Sequence, residues 1–220
     1  DRMKLGALQL IALPLVLVFA FAAGCATFVF SSGLDSNPMP NMAITTLGII
    51  WIGLLGSYAA LIVSLSNFSI FTADGVSTDV GTDTLFVVAL AIVANDVGAL
   101  FIGSAAGRTP LRAWISPNKT VEGFVGGAVM TVLAMVVVGV SGRSTTWNST
   151  GDLIILGLVV AFTAPLGDLT ESMFKRNLDV KDFGTIVKGH GGVLDRFDGF
   201  LFTLPATWYL LQILEPFVTK

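Results

Sequence analysis

The chain has 220 residues, 54% of them hydrophobic and 12% charged, with a formal net charge of −3 and a mean hydropathy of +0.83. Soluble domains carry about 25% charged residues, so this composition excludes an ordinary water-soluble fold. The single cysteine, Cys25, excludes an internal disulfide and a cysteine-built metal site. No nucleic-acid partner is expected.

A membrane-spanning helix needs roughly 20 mostly apolar residues. Six stretches meet this: Leu5–Phe30, Met42–Leu65, Thr84–Gly107, Gly123–Val140, Leu153–Met173 and Gly199–Val218. The expected fold is therefore all-α and polytopic, with about six transmembrane helices. Residues 1–83 hold the first two, and residues 84–220 form the part that carries the chemistry. The first apolar run is too long for a cleavable signal peptide. The chain begins at Asp1 without a methionine, and further helices are expected ahead of it. Gly53, Gly56, Gly98, Gly103, Gly126 and Gly127 suit close helix–helix approach. Pro14 and Pro165 remove backbone donors and are expected to kink their helices.

The linkers differ in charge. Segments 31–41 and 66–83 contain no Lys or Arg, whereas 108–120 has three and 175–198 has five. Six spans put these two basic loops on the same side. The excess of Lys/Arg in cytoplasmic loops makes that side the cytoplasm, although Arg2, Lys4 and Arg143 count against it. A polar site opening to the cytoplasm is the expected arrangement.

Charge also lies within the spans. Asp96, beside Asn95, is near the centre of the third; an ionisable group there costs at least ~2.5–3.5 kcal/mol and commonly marks a polar cavity or partner. A structural hydrogen bond to a neighbouring helix is the plainer account. In the fifth span, Asp168, Glu171, Ser172 and Lys175 follow i, i+3, i+4, i+7 spacing and share one helix face. A solvated helix end with a Glu–Lys pair explains Lys175 better than the deeper Asp168.

The second basic loop ends in Gly-His-Gly-Gly (189–192) followed by Asp-Arg-Phe-Asp (195–198). Glycines let a backbone approach a ligand and expose its N–H groups. Asp195 and Asp198, together with Asp168, suit a divalent cation bound through oxygen, and Mg²⁺ takes few carboxylates and leaves positions for phosphates. Lys175, Arg176, Lys181, Lys188 and Arg196 would counter phosphate charge. His190 is open to three readings: acid, ligand or turn residue. In the first loop, Lys119, Thr120 and Glu122 stand at the mouth of a helix, whose N-terminus attracts phosphate. Pro117 and Glu122 also fit a plain helix start.

Segment 172–198 reads Ser-x-x-Lys-Arg, four residues, Lys-Asp-x-Gly, then His-Gly-Gly-x-x-Asp-Arg-x-Asp. This resembles the signature of the phosphatidate cytidylyltransferases, the CDP-diacylglycerol synthases, with every fixed residue present. Segments 116–123, 95–96 and 167–172 are similar to the family as well, so the likeness runs from Thr84 to the C-terminus. Lys188 replaces a proline common in the family; Val97 and Leu100 replace a threonine and a tyrosine.

The resemblance implies that CTP and phosphatidic acid react to give CDP-diacylglycerol and pyrophosphate, in phospholipid biosynthesis at a bacterial cytoplasmic membrane. It implies Mg²⁺, and a second cation such as K⁺ nearby. Asp168 and Asp195 are the first choices as metal ligands. Lys119, Lys175, Arg176, His190 and Asp198 are assigned to catalysis. Asn95, Asp96, Ser116, Thr120, Glu122, Glu171, Lys181, Asp182, Gly191, Gly192 and Arg196 are assigned to substrate binding. The partners are CTP, phosphatidic acid and the lipid bilayer; a homodimer is left open.

Two rivals remain at this level. A secondary transporter or ion channel would explain Asp96 and Asp168 but not Lys119 or the 189–198 motif, and alternating access commonly uses inverted repeats, none of which is visible. A CTP-dependent enzyme acting on another lipid, such as an archaeal CDP-archaeol synthase or a polyprenol kinase, keeps the same chemistry.

Overall fold

The structure is a computed structural model that describes residues 16–27, 29–30, 38–67, 69–71, 77–180, 183, 192 and 194–214. The chain divides into two compact units, Asp1–Ser57 and Tyr58–Lys220. The first unit holds helix α1 (Val16–Thr27) and most of α2 (Met39–Val63), which is wound as a π-helix over Ile49–Leu54.

The second unit carries the candidate site. After the end of α2 come the paired strands β1 (Ser69–Phe71) and β2 (Ser77–Asp79), then α3 (Val80–Ala106). A short antiparallel hairpin follows, β3 (Pro110–Arg112) and β4 (Ser116–Thr120). Helices α4 (Val121–Ser141), α5 (Thr150–Asn177) and α6 (Leu194–Leu214) complete it. In chain order each of these helices packs on the next, and α3 also touches α5 and α6.

Their ends are written in the sequence. The Asp79 carboxylate caps α3 by accepting from the Gly81 and Thr82 N–H groups at 2.9 and 3.2 Å. The Thr120 hydroxyl caps α4 by accepting from Gly123 N–H at 3.1 Å. Gly142, left-handed at φ 61°, closes the other end of α4. In α5, Asp152 stands in the first turn and Lys175 and Arg176 in the last, each matching the helix dipole.

The interior is apolar: Val87, Val88, Met135, Leu153, Leu156, Val160 and Leu211 are buried together. The outside is apolar too. Val125, Val129, Leu133 and Val137 form an exposed row at every fourth position of α4, and Phe162 and Leu166 begin a similar one on α5. Helices that are hydrophobic all round belong in a bilayer. The protein is an integral membrane protein. Among the described residues, Met39–Val63, Val80–Ala106, Val121–Ser141 and Thr150–Asn177 are long and apolar enough to span. Of the six spans expected, the first is described only over its second half, as α1. The sixth expected span, Gly199–Val218, overlaps α6, which is not among these four and whose polar first turn, with Asp195, Arg196 and Asp198, lies ahead of the expected span.

Two boundaries move with consequence for the site. Helix α5 runs on through Lys175 and Arg176, and α6 begins at Leu194. Residues expected in a loop are therefore fixed on helices.

Candidate active site

The expected close contact of glycines shapes this region. A Cβ at Gly98 would overlap the Met130 side chain, one at Gly126 would overlap Ile102, and one at Gly127 would press on the Asn95 carbonyl. Helices α3 and α4 thereby cross closely and hold Asn95 in a fixed place. Asn95 is buried, and its amide donates to the Thr131 hydroxyl at 3.1 Å, which itself donates to the Gly127 carbonyl at 2.8 Å. Thr131 is a site-supporting residue that the sequence does not single out, because a threonine in an apolar span carries no signal of its own.

Beside Asn95 opens a cavity of about 670 Å³ between α3, the β3–β4 hairpin, α4 and α5, a size typical of ligand pockets. Asp96, Ser116, Lys119, Thr120 and Asp168 line its polar part, and Leu100, Leu111, Phe124 and Leu169 its apolar part. The sequence-chosen residues of three separate segments thus meet at one cavity. Lys119 Nζ forms an ion pair with Asp168 Oδ2 at 2.5 Å across it.

Asp168 belongs to a second grouping as well. One carboxylate oxygen each from Asp168, Glu171 and Asp198 lie within 4.8 Å of one another. A Cβ at Gly167 would overlap the Asp198 carbonyl, so the missing side chain is what lets α5 and α6 bring these acids together. Glu171 is buried; Lys175 donates to its Oε2 at 2.8 Å, while Oε1 is buried without a hydrogen-bond partner. An orphaned buried carboxylate oxygen facing two other carboxylates is the donor set of a hard cation. Two ammonium groups pair with the acids around this group, Lys119 with Asp168 and Lys175 with Glu171 and Asp195.

Asp195 is placed differently from Asp168. Lys175 donates to its Oδ1 at 2.8 Å, and the Phe183 and Gly192 N–H groups donate to its Oδ2 at 3.1 and 2.7 Å. Burial opposes its ionisation, but the Lys175 ammonium and the Gly192 N–H outweigh it and hold the carboxyl at about 2, below the ordinary 3.8. Both oxygens of Asp195 are thus engaged in fixing Lys175 and the approach to α6. Arg176 also acts on structure: its Nε donates to the Ile115 carbonyl at 3.1 Å, tying the end of α5 to the hairpin. The Glu122 carboxylate accepts from Arg108 N–H, Thr109 N–H and the Thr109 hydroxyl and so closes the hairpin's base. Arg196 is exposed in the first turn of α6. Lys181, Asp182, His190 and Gly191 lie outside the described residues.

A sequence model of the cytidylyltransferase family matches residues 5–214. The chain belongs to the cytidylyltransferase family. Among its relatives, the phosphatidate cytidylyltransferase of Bacillus subtilis (strain 168) is 39% identical over 174 residues, which is 79% of this chain and 59% of that protein. The one from Synechocystis is 46% identical over 129 residues, 57% of this chain and 42% of that protein. The one from Mycobacterium bovis is 33% identical over 180 residues, 81% of this chain and 53% of that protein. The chain thus spans about half the length of these relatives. Within this membrane-bound family the match extends beyond the 172–198 motif to the helices that build the cavity.

Proposed function

We propose that this chain transfers the cytidylyl group of CTP to phosphatidic acid, giving CDP-diacylglycerol and pyrophosphate. The observation that carries this reading is the single cavity in which Lys119, Asp96 and Asp168 meet, backed by the carboxylates of Glu171 and Asp198. A site for a polyphosphate needs a cation-binding acid cluster and basic groups side by side. A site for a lipid phosphate needs an apolar margin, which Leu100, Phe124 and Leu169 supply.

Mg²⁺ fits the Asp168, Glu171 and Asp198 group; when bound it would neutralise polyphosphate charge and favour attack at the α-phosphorus. Lys119 holds phosphate oxygens as a compact point charge. Lys175, fixed between Glu171 and Asp195, keeps the acids of α5 and α6 in register. Asn95 and Asp96 present polar groups from α3, and Ser116 and Thr120 from the hairpin. The lipid phosphate is already ionised, so it attacks without a dedicated base, and the protein's task is alignment and charge neutralisation. A second cation such as K⁺ is part of the proposal only through the family resemblance. The site faces the cytoplasm of a bacterial inner membrane on this reading, supported by the basic residues of 108–120 and 175–198.

The test is direct. Purified protein is incubated with radiolabelled CTP, Mg²⁺ and phosphatidic acid, and a labelled liponucleotide is expected in the lipid phase. Absence of label there, with pyrophosphate also absent, overturns the reading.

A further inference from the structure

The ion pair of Lys119 with Asp168 is at odds with the tasks given to both residues. Asp168 is the one member of the acid group that also lines the cavity. Glu171 already has Lys175 on Oε2, and Asp198 accepts the Gly199 N–H at 2.7 Å on Oδ1. Lys119 reaches Asp168 from the opposite side, from strand β4, with its Nζ shielded from solvent. An ammonium and a divalent cation compete for the same carboxylate, and both are repelled when they share it.

We propose that Lys119 is a resident counter-cation, held on Asp168 until a divalent ion displaces it and then turned toward an anionic ligand in the cavity. The inference rests on the metal reading given under the proposed function. It makes Lys119 a coupling residue: the ion that takes Asp168 releases a positive charge into the cavity, so metal binding strengthens polyphosphate binding. Linkage requires the reverse as well, with a polyphosphate that draws Lys119 away strengthening metal binding. The ordering follows from charge, since a bare acid cluster would repel a polyanion until the ion is in place.

Mn²⁺ alone is the probe, with free ion counted by electron paramagnetic resonance on the purified protein without nucleotide. Removing the competing ammonium in Lys119→Gln should tighten Mn²⁺ binding by up to about fivefold. Unchanged or weaker binding in that variant overturns the proposal. Asp168→Asn separates the two readings. If it binds Mn²⁺ as the parent does, the metal reading falls and this inference with it. If it loses Mn²⁺ while Lys119→Gln is unchanged, only the counter-cation role falls. The parent chain supplies a second measurement that needs no variant: Mn²⁺ should speed acylation of Lys119 by an amine-specific reagent several-fold, read by mass spectrometry. A rate that stays level or drops overturns the proposal.

Discussion

Asp168 answers to two sets of neighbours, Lys119 on the cavity side and the carboxylates of Glu171 and Asp198 behind it. Asp195 answers to one, the Lys175 ammonium and two backbone N–H groups. The two aspartates should therefore fail differently. Asp168→Asn should abolish both Mn²⁺ binding and turnover while leaving thermal unfolding near that of the parent. Asp195→Asn should keep measurable Mn²⁺ binding but lower stability by about 1–2 kcal/mol, since it weakens charge-assisted hydrogen bonds. Equal loss of Mn²⁺ in both would mean that both are ligands. Acidity gives an independent check on Asp195. Its carboxyl is held at about 2 against an ordinary 3.8. Its stabilising contribution is thus complete above the ordinary value and disappears as pH falls from there toward 2. Thermal unfolding followed down this window should drop less steeply in Asp195→Asn than in the parent. The i, i+3, i+4, i+7 face of α5 was readable because helical periodicity fixes it. The division of labour between Asp195 and Asp198 was not, since it depends on whether their segment is loop or helix.

Glycine at a helix crossing works by what it leaves out, and the crossings of α3 with α4 and of α5 with α6 both rest on it. Gly167→Ala would push its new methyl into the Asp198 backbone, which cannot swing aside as a side chain can. Overpacking of this kind costs about 1–3 kcal/mol, and here it would also spread the three carboxylates. The variant should unfold earlier in detergent and bind Mn²⁺ more weakly. Gly53→Ala is the control, because nothing lies within 4 Å of a Cβ there; its unfolding temperature should be unchanged or raised, as alanine favours helix over glycine. A parallel fall in both variants would mean that generic helix effects, not the crossing, decide. At this scale hydropathy located the helices well, and the glycines of α3 and α4 announced close packing, whereas the same expectation at Gly53 fails because no neighbour lies against it. The β3–β4 hairpin was invisible: Pro110–Arg112 and Ser116–Thr120 show no alternating pattern. The Glu122 contacts with residues 108 and 109 and the Arg176 contact with Ile115 hold it from outside.

The bundle of α3 to α6 is polarised, with the acids and bases of the site gathered at one end and the 142–149 connection at the other. Composition alone signals that the chain belongs in a membrane, and the uneven Lys/Arg content of its linkers suggests a sidedness. What no linear reading supplies is the meeting of segments 95–96, 116–120, 168–175 and 195–198, because that depends on how the helices cross. The structure ties the two basic loops together physically: Arg176 at the end of α5 donates to the Ile115 carbonyl of the hairpin, and Lys119 pairs with Asp168. They must therefore lie on the same face of the membrane whichever way the protein is inserted, and the proposed use of CTP requires that face to be cytoplasmic. At the far end, Asp83 in the first turn of α3 accepts from the Ser144 hydroxyl and the Thr146 N–H at 2.7 and 2.9 Å, fixing the 142–149 connection across the bundle from the site. Single cysteines at Asn118, Val180 and Asn148, each in a Cys25→Ser background, report on the three places. An impermeant thiol reagent applied to intact cells should label Asn148→Cys and spare the other two, and permeabilised membranes should expose all three. Labelling of Asn118→Cys and Val180→Cys from outside, with Asn148→Cys protected, would invert the orientation and remove CTP from reach of the site. Labelling of only one of the pair would break the bundle itself, since a single helix end cannot leave its partner without losing the Arg176 and Lys119 contacts together.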